Sequence, residues 1–293
     1  MPPARVTGVI RGGVRLMRPR QWIKNVLVGA APLAAGTILH GTTAVRTLLA
    51  LVAFCLASSA TYCVNDVMDR EADAQHPTKR GRPVASGAVP PWAALALAAV
   101  LAVAAVAVTG PPAFRLVVLG YLVLTVSYSV WLKHRPVLEL GLVSGGFLLR
   151  AVGGGLATGL PLSQWFLIVT AFGSLFMVAG KRLSELIAAQ HASAVVRRSL
   201  TYYPLSYLRM VLGISAGVTI TGYCLWAFEV GAGHRGGTWS AISVAPFVLA
   251  VMRYGLDSDL GRVEEPEQVV RRDGTLQVLG LAWLATFSLG VLL

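Results

Sequence analysis

The chain has 293 residues, 55% of them hydrophobic and only 13% charged, with a mean hydropathy of +0.67. That balance excludes soluble globular and disordered classes and predicts an all-α integral membrane protein built as a single domain over residues 1–293. The net charge of +12 would suggest nucleic acid in a soluble protein, but in a membrane protein the distribution of that charge among the loops is read first.

A spanning helix needs about 20 mostly apolar residues. Nine such segments are expected, at residues 22–39, 47–67, 92–108, 114–132, 137–156, 162–180, 207–230, 239–256 and 276–293. With that spacing Arg46, Arg115, Arg150 and Arg235 fall on one side of the membrane, and the rest of the 25 Lys and Arg fall on the side of the N-terminus. The positive-inside rule makes the N-terminus, including the basic segment 1–20, cytoplasmic and the C-terminus external in a multi-pass cell-membrane protein. The charge is thereby explained by topology and contact with anionic membrane lipids, and no nucleic-acid partner is expected. Cys55, Cys63 and Cys224 sit in apolar segments without metal-ligand spacing and read as small core residues. No short apolar core with a small-residue cleavage site opens the chain, so no removable signal peptide is expected.

In the first segment, Pro19 suits a helix start and Trp22 the membrane interface. Lys24 and Asn25 are polar groups at the opening of a spanning segment, where they are costly. Lys24 either snorkels to the headgroups or contacts a substrate phosphate. The second segment is rich in small residues, Ala57 to Thr61, which allow close helix packing. It delivers Asn65 to its cytoplasmic end, where residues 65–82 form the densest charged block of the chain.

If that block continues as a helix, Asp66, Asp69 and Asp73 fall at i, i+3 and i+7 on one face, with Asn65 beside them. Oxygen ligands gathered in this way suit Mg²⁺, which takes one or two carboxylates, keeps waters and shares substrate phosphate oxygens. Lys79, Arg80 and Arg82 follow as candidates for those phosphates. The competing reading is a solvated loop at the membrane edge.

The third segment, opened by Pro90 and Pro91, is structural. The fourth ends in Tyr128 and Lys133, and its Tyr121 reads as an interfacial belt residue. The fifth carries Glu139 and Arg150 among glycines, either as functional groups or as an internal pair. The sixth ends in Gly180-Lys-Arg-Leu-Ser-Glu185, with Glu185 placed to pair with Lys181 or Arg182. Segments two and six both end in polar clusters on the cytoplasmic side, which hints at one site assembled from two halves. Asp257, Asp259, Glu264, Glu265 and Glu267, with several arginines, read as a solvated mixed-charge loop.

Nine segments with Asn-Asp-x-x-Asp-x-x-x-Asp after the second resemble the UbiA superfamily of intramembrane prenyltransferases, over essentially the whole chain. Arg18-Pro-Arg-Gln-Trp-Ile-Lys-Asn25, Asn65-Asp-Val-Met-Asp-Arg-Glu-Ala-Asp73, His76-Pro-Thr-Lys-Arg80 and Ala179-Gly-Lys-Arg-Leu-Ser-Glu185 resemble a narrower group within it, the polyprenyl-phosphate phosphoribosyltransferases of actinobacterial cell-wall synthesis. Pro161-Leu-Ser-Gln-Trp165 and Ser174-Leu-Phe-Met177 extend the similarity. Ordinary superfamily members carry a second aspartate-rich motif after the sixth segment, where this chain has Lys181, Arg182 and Glu185.

The resemblance implies a UbiA-like helical bundle with a cytoplasmic-side active site. It also implies transfer of 5-phosphoribosyl from 5-phosphoribosyl 1-diphosphate to decaprenyl or another polyprenyl phosphate, for cell-wall arabinan precursors, with Mg²⁺ as cofactor. Asp66, Asp69 and Asp73 are then expected on the metal, and Lys181 and Arg182 close the site. Lys24, Asn65, Lys79, Arg80, Arg82, Tyr128, Lys133 and Glu185 are expected around the substrates. The rival readings are a conventional prenyltransferase acting on an aromatic acceptor, against which the missing second aspartate motif counts, and a lipid-phosphate transporter, which needs no clustered metal face. Homo-oligomerisation is left open.

Overall fold

The computed structural model describes residues 12–192, 200–231, 236–263, 269 and 272–293, and over these the regular structure is entirely helical. Arg5, Arg11, Arg197, Arg198, Arg235, Glu264, Glu265, Glu267 and Arg271 lie outside the described residues. A 3₁₀ helix, Pro19–Gly29, runs into α1 (Ala30–Ala34). There follow α2 (Gly41–Met68), α3 (Arg70–Gln75), α4 (Pro91–Ala107), α5 (Pro112–Val130), α6 (Leu138–Thr158), α7 (Gln164–Ala192), α8 (Leu205–Gly231), α9 (Gly237–Asp259) and α10 (Gly274–Leu292). Among the described residues, seven helices, α2 and α5 to α10, are long and apolar enough to cross a membrane, and α4 is a shorter apolar helix. Prolines at the first turns of α4 and α5 lose no helical hydrogen bond there. Asp273 caps α10, accepting from the N–H groups of Thr275 at 2.7 Å and Leu276 at 3.1 Å. Serine and threonine within the spans bond to the carbonyl four residues back, as Thr158 does to Gly154 and Ser215 to Val211, so few hydroxyls face hydrocarbon unsatisfied.

By contacts the chain divides into two compact units. The first comprises Met1–Leu33, Thr37–Lys133 and Leu149–Pro161, and the second Ala34–Gly36, His134–Leu148 and Leu162–Leu293. In the first unit α2 is the central element. Ala50, Ala53, Phe54 and Ala57 pack with Val28, Phe114, Val118 and Tyr121, while Ala60 and Cys63 pack with Leu16, Val84, Val89, Ala94 and Ala98. The small side chains expected to favour close packing form that face. The second unit is built around α7, whose Phe176, Ala179 and Leu183 pack with Leu208, Leu212, Val251 and Tyr254.

Three expectations are corrected by this architecture. The first apolar segment opens inside an eleven-residue 3₁₀ helix, Pro19–Gly29, and is α-helical only over Ala30–Ala34. Runs of 3₁₀ rarely exceed three or four residues unaided, and this one is held by its surroundings: a methyl group at Gly154 of α6 would lie 2.8 Å from the Val28 carbonyl carbon, so only glycine admits that approach. The sixth segment does not end at Gly180. Leu183, Leu186 and Ile187 continue the buried stripe at i, i+3 and i+4, so Lys181, Arg182 and Glu185 lie within α7. The acidic block is not one helix either, because α2 stops at Met68 and Asp69 adopts φ −94°, ψ 5° before α3 begins.

Candidate active site

At the α2–α3 junction the backbone bonding pattern survives the break. The Asp69 N–H donates to the Asn65 carbonyl at 2.9 Å and the Asp73 N–H to that of Asp69 at 2.8 Å. The three aspartates therefore stay near one side, as the i, i+3, i+7 spacing requires, but they are not equivalent. Asp66 and Asp73 are 2% and 4% exposed, while the Asp69 carboxylate is about a quarter exposed.

Each carboxylate meets a cation from elsewhere in the first unit. Arg82 Nη1 donates to Asp73 Oδ2 at 2.6 Å and reaches Asp66 Oδ1 at 3.5 Å. Its backbone lies in a chain of turns, with Arg82 N–H donating to Lys79 O at 2.9 Å and Ser86 N–H to Arg82 O at 2.9 Å, anchored by buried Val84 and Val89. Arg18 donates to Asp66 and lies over the Tyr62 ring at 4.9 Å. It does so from a left-handed conformation, φ 50°, just before the 3₁₀ helix. A non-glycine residue there is strained, a conformation often kept at functional sites. Lys133, in the 3₁₀ turn after α5, donates to Asp69 Oδ1, and Asn65 Nδ2 to Asp69 Oδ2 at 3.1 Å. Lys24, Lys79 and Tyr128 are half-buried in the same unit, and Arg80 is exposed.

A Mg²⁺ ion fits part of this arrangement. No group of three His, Cys, Asp or Glu side chains that could hold a metal is present among the described residues. What comes together is a pair: Asp73 Oδ2 and the Asp66 Oδ1 that Arg18 also holds lie 2.6 and 3.5 Å from one atom, Arg82 Nη1. Two carboxylates and several waters are an ordinary magnesium donor set. Asp69, taken by Lys133 and Asn65, stands beside that pair.

The 3₁₀ helix that presents Arg18 is clamped from inside. Asn25, fully buried, accepts from Arg150 Nε at 2.7 Å and donates to Ser58 Oγ at 3.2 Å. Arg150 also donates to the Tyr121 hydroxyl at 2.8 Å, and Trp22 Nε1 donates to Ser59 Oγ at 3.1 Å. Tyr121 is therefore a polar partner inside the unit, where the sequence suggested a belt residue.

In the second unit Arg182, 5% exposed, donates from Nε and Nη2 to the two oxygens of fully buried Glu139, at 3.1 and 2.9 Å. Its Nη1 donates to Glu185 at 2.8 Å, and Lys181 lies 3.9 Å from the other Glu185 oxygen. The turn into α6 that carries Glu139 is strained at Val137, φ 66°, whose N–H donates to the Tyr203 hydroxyl at 2.5 Å. Burial raises the Tyr203 pKa above the usual tyrosine value against the lowering effect of that bond. A direct Glu139–Arg150 pair is ruled out by geometry, since eleven residues of helix rise about 16 Å.

The first unit thus gathers Asn65, Asp66, Asp69, Asp73, Arg82 and Lys133, and the second gathers Lys181, Arg182 and Glu185. The sequence offered Glu139 only as a functional group or a partner of Arg150, and Arg18 only as part of the Arg18-Pro-Arg-Gln-Trp-Ile-Lys-Asn25 motif. Neither signal names the partner that each residue finds.

Among proteins of known sequence, the decaprenyl-phosphate phosphoribosyltransferase of Mycobacterium tuberculosis is 48% identical over 99% of this chain and 96% of its own length. That of Corynebacterium glutamicum is 42% identical over 96% and 86%. In three dimensions a UbiA homologue from Archaeoglobus fulgidus, solved with GPP and Mg²⁺, superimposes with a TM-score of 0.67 over 96% of this chain and 99% of that one, at 16% identity. The model of the UbiA prenyltransferase family matches residues 25–270, a stretch that takes in α1 to α9 and every ion pair described above except that of Arg18 with Asp66, and the chain belongs to that family.

Proposed function

We propose that this chain transfers the 5-phosphoribosyl group of 5-phosphoribosyl 1-diphosphate to a polyprenyl phosphate such as decaprenyl phosphate, with release of diphosphate, for cell-wall precursor synthesis. The observation that carries the reading is the likeness, across nearly the whole chain, to the mycobacterial decaprenyl-phosphate phosphoribosyltransferase. In place of a second aspartate motif the chain has Lys181 and Arg182, which suits a reaction between two anionic substrates.

A phosphate oxygen of the lipid attacks the anomeric carbon, with inversion, through an oxocarbenium-like transition state. The lipid phosphate is already ionised near neutral pH, so no strong base is needed. Asp66 and Asp73, with Asp69 beside them, are the residues to hold Mg²⁺, and magnesium bound there would stabilise charge on the departing diphosphate. Lys79, Arg80 and Arg82 bind the donor phosphates. Lys181 and Arg182 supply further cations, with Arg182 aligned by Glu139 and Glu185. Lys24, Tyr128 and Lys133 are the remaining phosphate contacts. Positioning and electrostatic stabilisation carry the rate.

Nine membrane passes, a cytoplasmic N-terminus and site, and an external C-terminus belong to the same proposal. The 3₁₀ rise of about 2.0 Å per residue carries Pro19–Gly29 with α1 across about 30 Å, the thickness of the hydrocarbon core. With the 17-residue α4 and the seven longer helices this supports nine passes. The test incubates purified protein with polyprenyl phosphate and radiolabelled 5-phosphoribosyl 1-diphosphate. Mg²⁺-dependent appearance of a labelled lipid is expected, and its absence overturns the assignment.

A further inference from the structure

The Asp66–Asp73 pair already holds a cation of its own. Arg82 Nη1 sits 2.6 Å from one buried carboxylate and 3.5 Å from the other. A divalent ion there needs oxygens at about 2.0–2.1 Å. A guanidinium nitrogen and a dication cannot both occupy it, because like charges at such separations repel strongly when water is excluded. Arg18 is the nearer partner of that same Asp66 Oδ1, so the pair keeps a neutralising charge when Arg82 leaves. The Arg82 side chain is a quarter exposed, and buried Val84 and Val89 anchor its loop. The side chain therefore has somewhere to go while its backbone stays in place.

We infer that Arg82 and the divalent cation are alternative occupants of the Asp66–Asp73 pair, so that metal entry displaces the guanidinium and releases it toward the donor phosphates. The inference rests on the metal assignment made under Proposed function and adds an order of events. The metal-free site is closed by its own arginine, and the cation that binds phosphate is armed by the cation that binds aspartate. Metal and donor binding are then thermodynamically coupled through one side chain.

The consequence runs against ordinary expectation for a site residue, because removing Arg82 tightens metal binding. Mn²⁺ is titrated into the purified full-length chain in detergent, without any phosphate substrate, and free Mn²⁺ is read by electron paramagnetic resonance. Arg82→Gln is expected to bind Mn²⁺ roughly tenfold more tightly than the unsubstituted protein, since a charge-assisted contact no longer has to be broken. Arg82→Lys, which keeps the competing charge, stays close to the unsubstituted value.

A second measurement needs no variant. Phenylglyoxal labelling of Arg82, read by peptide mass spectrometry, should rise severalfold when Mn²⁺ is added. Unchanged or weaker Mn²⁺ binding in Arg82→Gln, or labelling indifferent to Mn²⁺, overturns the exchange if Asp73→Asn still abolishes Mn²⁺ binding. Mn²⁺ binding that ignores Asp73→Asn overturns the metal assignment itself, and the exchange with it.

Discussion

Glu139→Ala removes the carboxylate that holds two of the three guanidinium nitrogens of Arg182, in a place where the glutamate is fully buried and the arginine 5% exposed. Breaking a buried ion pair by deleting one partner costs about 3–5 kcal/mol, because the survivor is left charged and poorly solvated. Glu185 remains on Arg182 at 2.8 Å, which puts the expected loss at the lower end, about 3 kcal/mol. At about 2–4 °C per kcal/mol for a domain of this size, the melting temperature should fall by about 6–12 °C. A thiol-reactive dye that reports exposure of buried Cys63 and the other two cysteines follows the transition in detergent. Replacing both partners, Glu139→Leu with Arg182→Met, should restore more than half of the lost stability, since an apolar pair leaves no buried charge behind. A single variant melting within about 1 °C of the parent, or a double variant as unstable as the two single losses combined, would refute the assignment of Glu139 as the buried counter-ion of Arg182.

Asp66→Asn and Asp73→Asn should each abolish phosphoribosyl transfer while the protein stays folded in detergent. Near-parental turnover of both at ordinary Mg²⁺ would remove the acidic pair from the reaction. Lys181→Ala should lower kcat/KM roughly tenfold to a hundredfold without rescue by added Mg²⁺; a small loss that is larger in neutral than in anionic lipid would reduce Lys181 to a headgroup anchor, and an unchanged value in both would remove it from the reaction. Gly154→Ala should fail to accumulate as folded protein, because its methyl would overlap the Val28 carbonyl; size-exclusion chromatography decides, and a normal monodisperse yield refutes the close approach. Burial opposes ionisation of Asp273, but hydrogen bonds from Arg253 and the Leu276 N–H outweigh it and lower its pKa to about 2. The folded value lies below the unfolded one, so the stabilisation by Asp273 is complete above the ordinary aspartate pKa of about 3.9 and is lost as pH falls toward 2. Melting curves of Asp273→Asn and the parent should therefore converge over that window, and a constant difference down to pH 2 would contradict the sign.

The apolar segments were legible because transfer into hydrocarbon is nearly additive along a chain, so the composition of a window of about 20 residues decides whether it can span. The fifth segment became α6 and the ninth became α10 within two residues at each end. The limits failed where a helix outlasts its hydrocarbon. α7 runs twelve residues beyond Gly180 because Leu183, Leu186 and Ile187 are buried by protein, which a hydropathy window does not register. The form of the first segment was equally hidden. Eleven residues became 3₁₀ through Gly154 and Arg150, more than a hundred positions away.

By itself the sequence determined that the chain is a helical membrane protein of this family, and it placed the acidic residues that the α2–α3 junction keeps on one side, because these properties reside in composition and local spacing. Apart from Glu185, which local spacing already paired with Lys181 and Arg182, the tertiary structure alone decided which cation answers which carboxylate. Arg18 reaches Asp66 across 48 positions, Lys133 reaches Asp69 across 64 and Arg182 reaches Glu139 across 43. A charge at a segment end states only that it needs a partner. Which partner it finds depends on which helix ends meet and on which groups are withdrawn from water when they do.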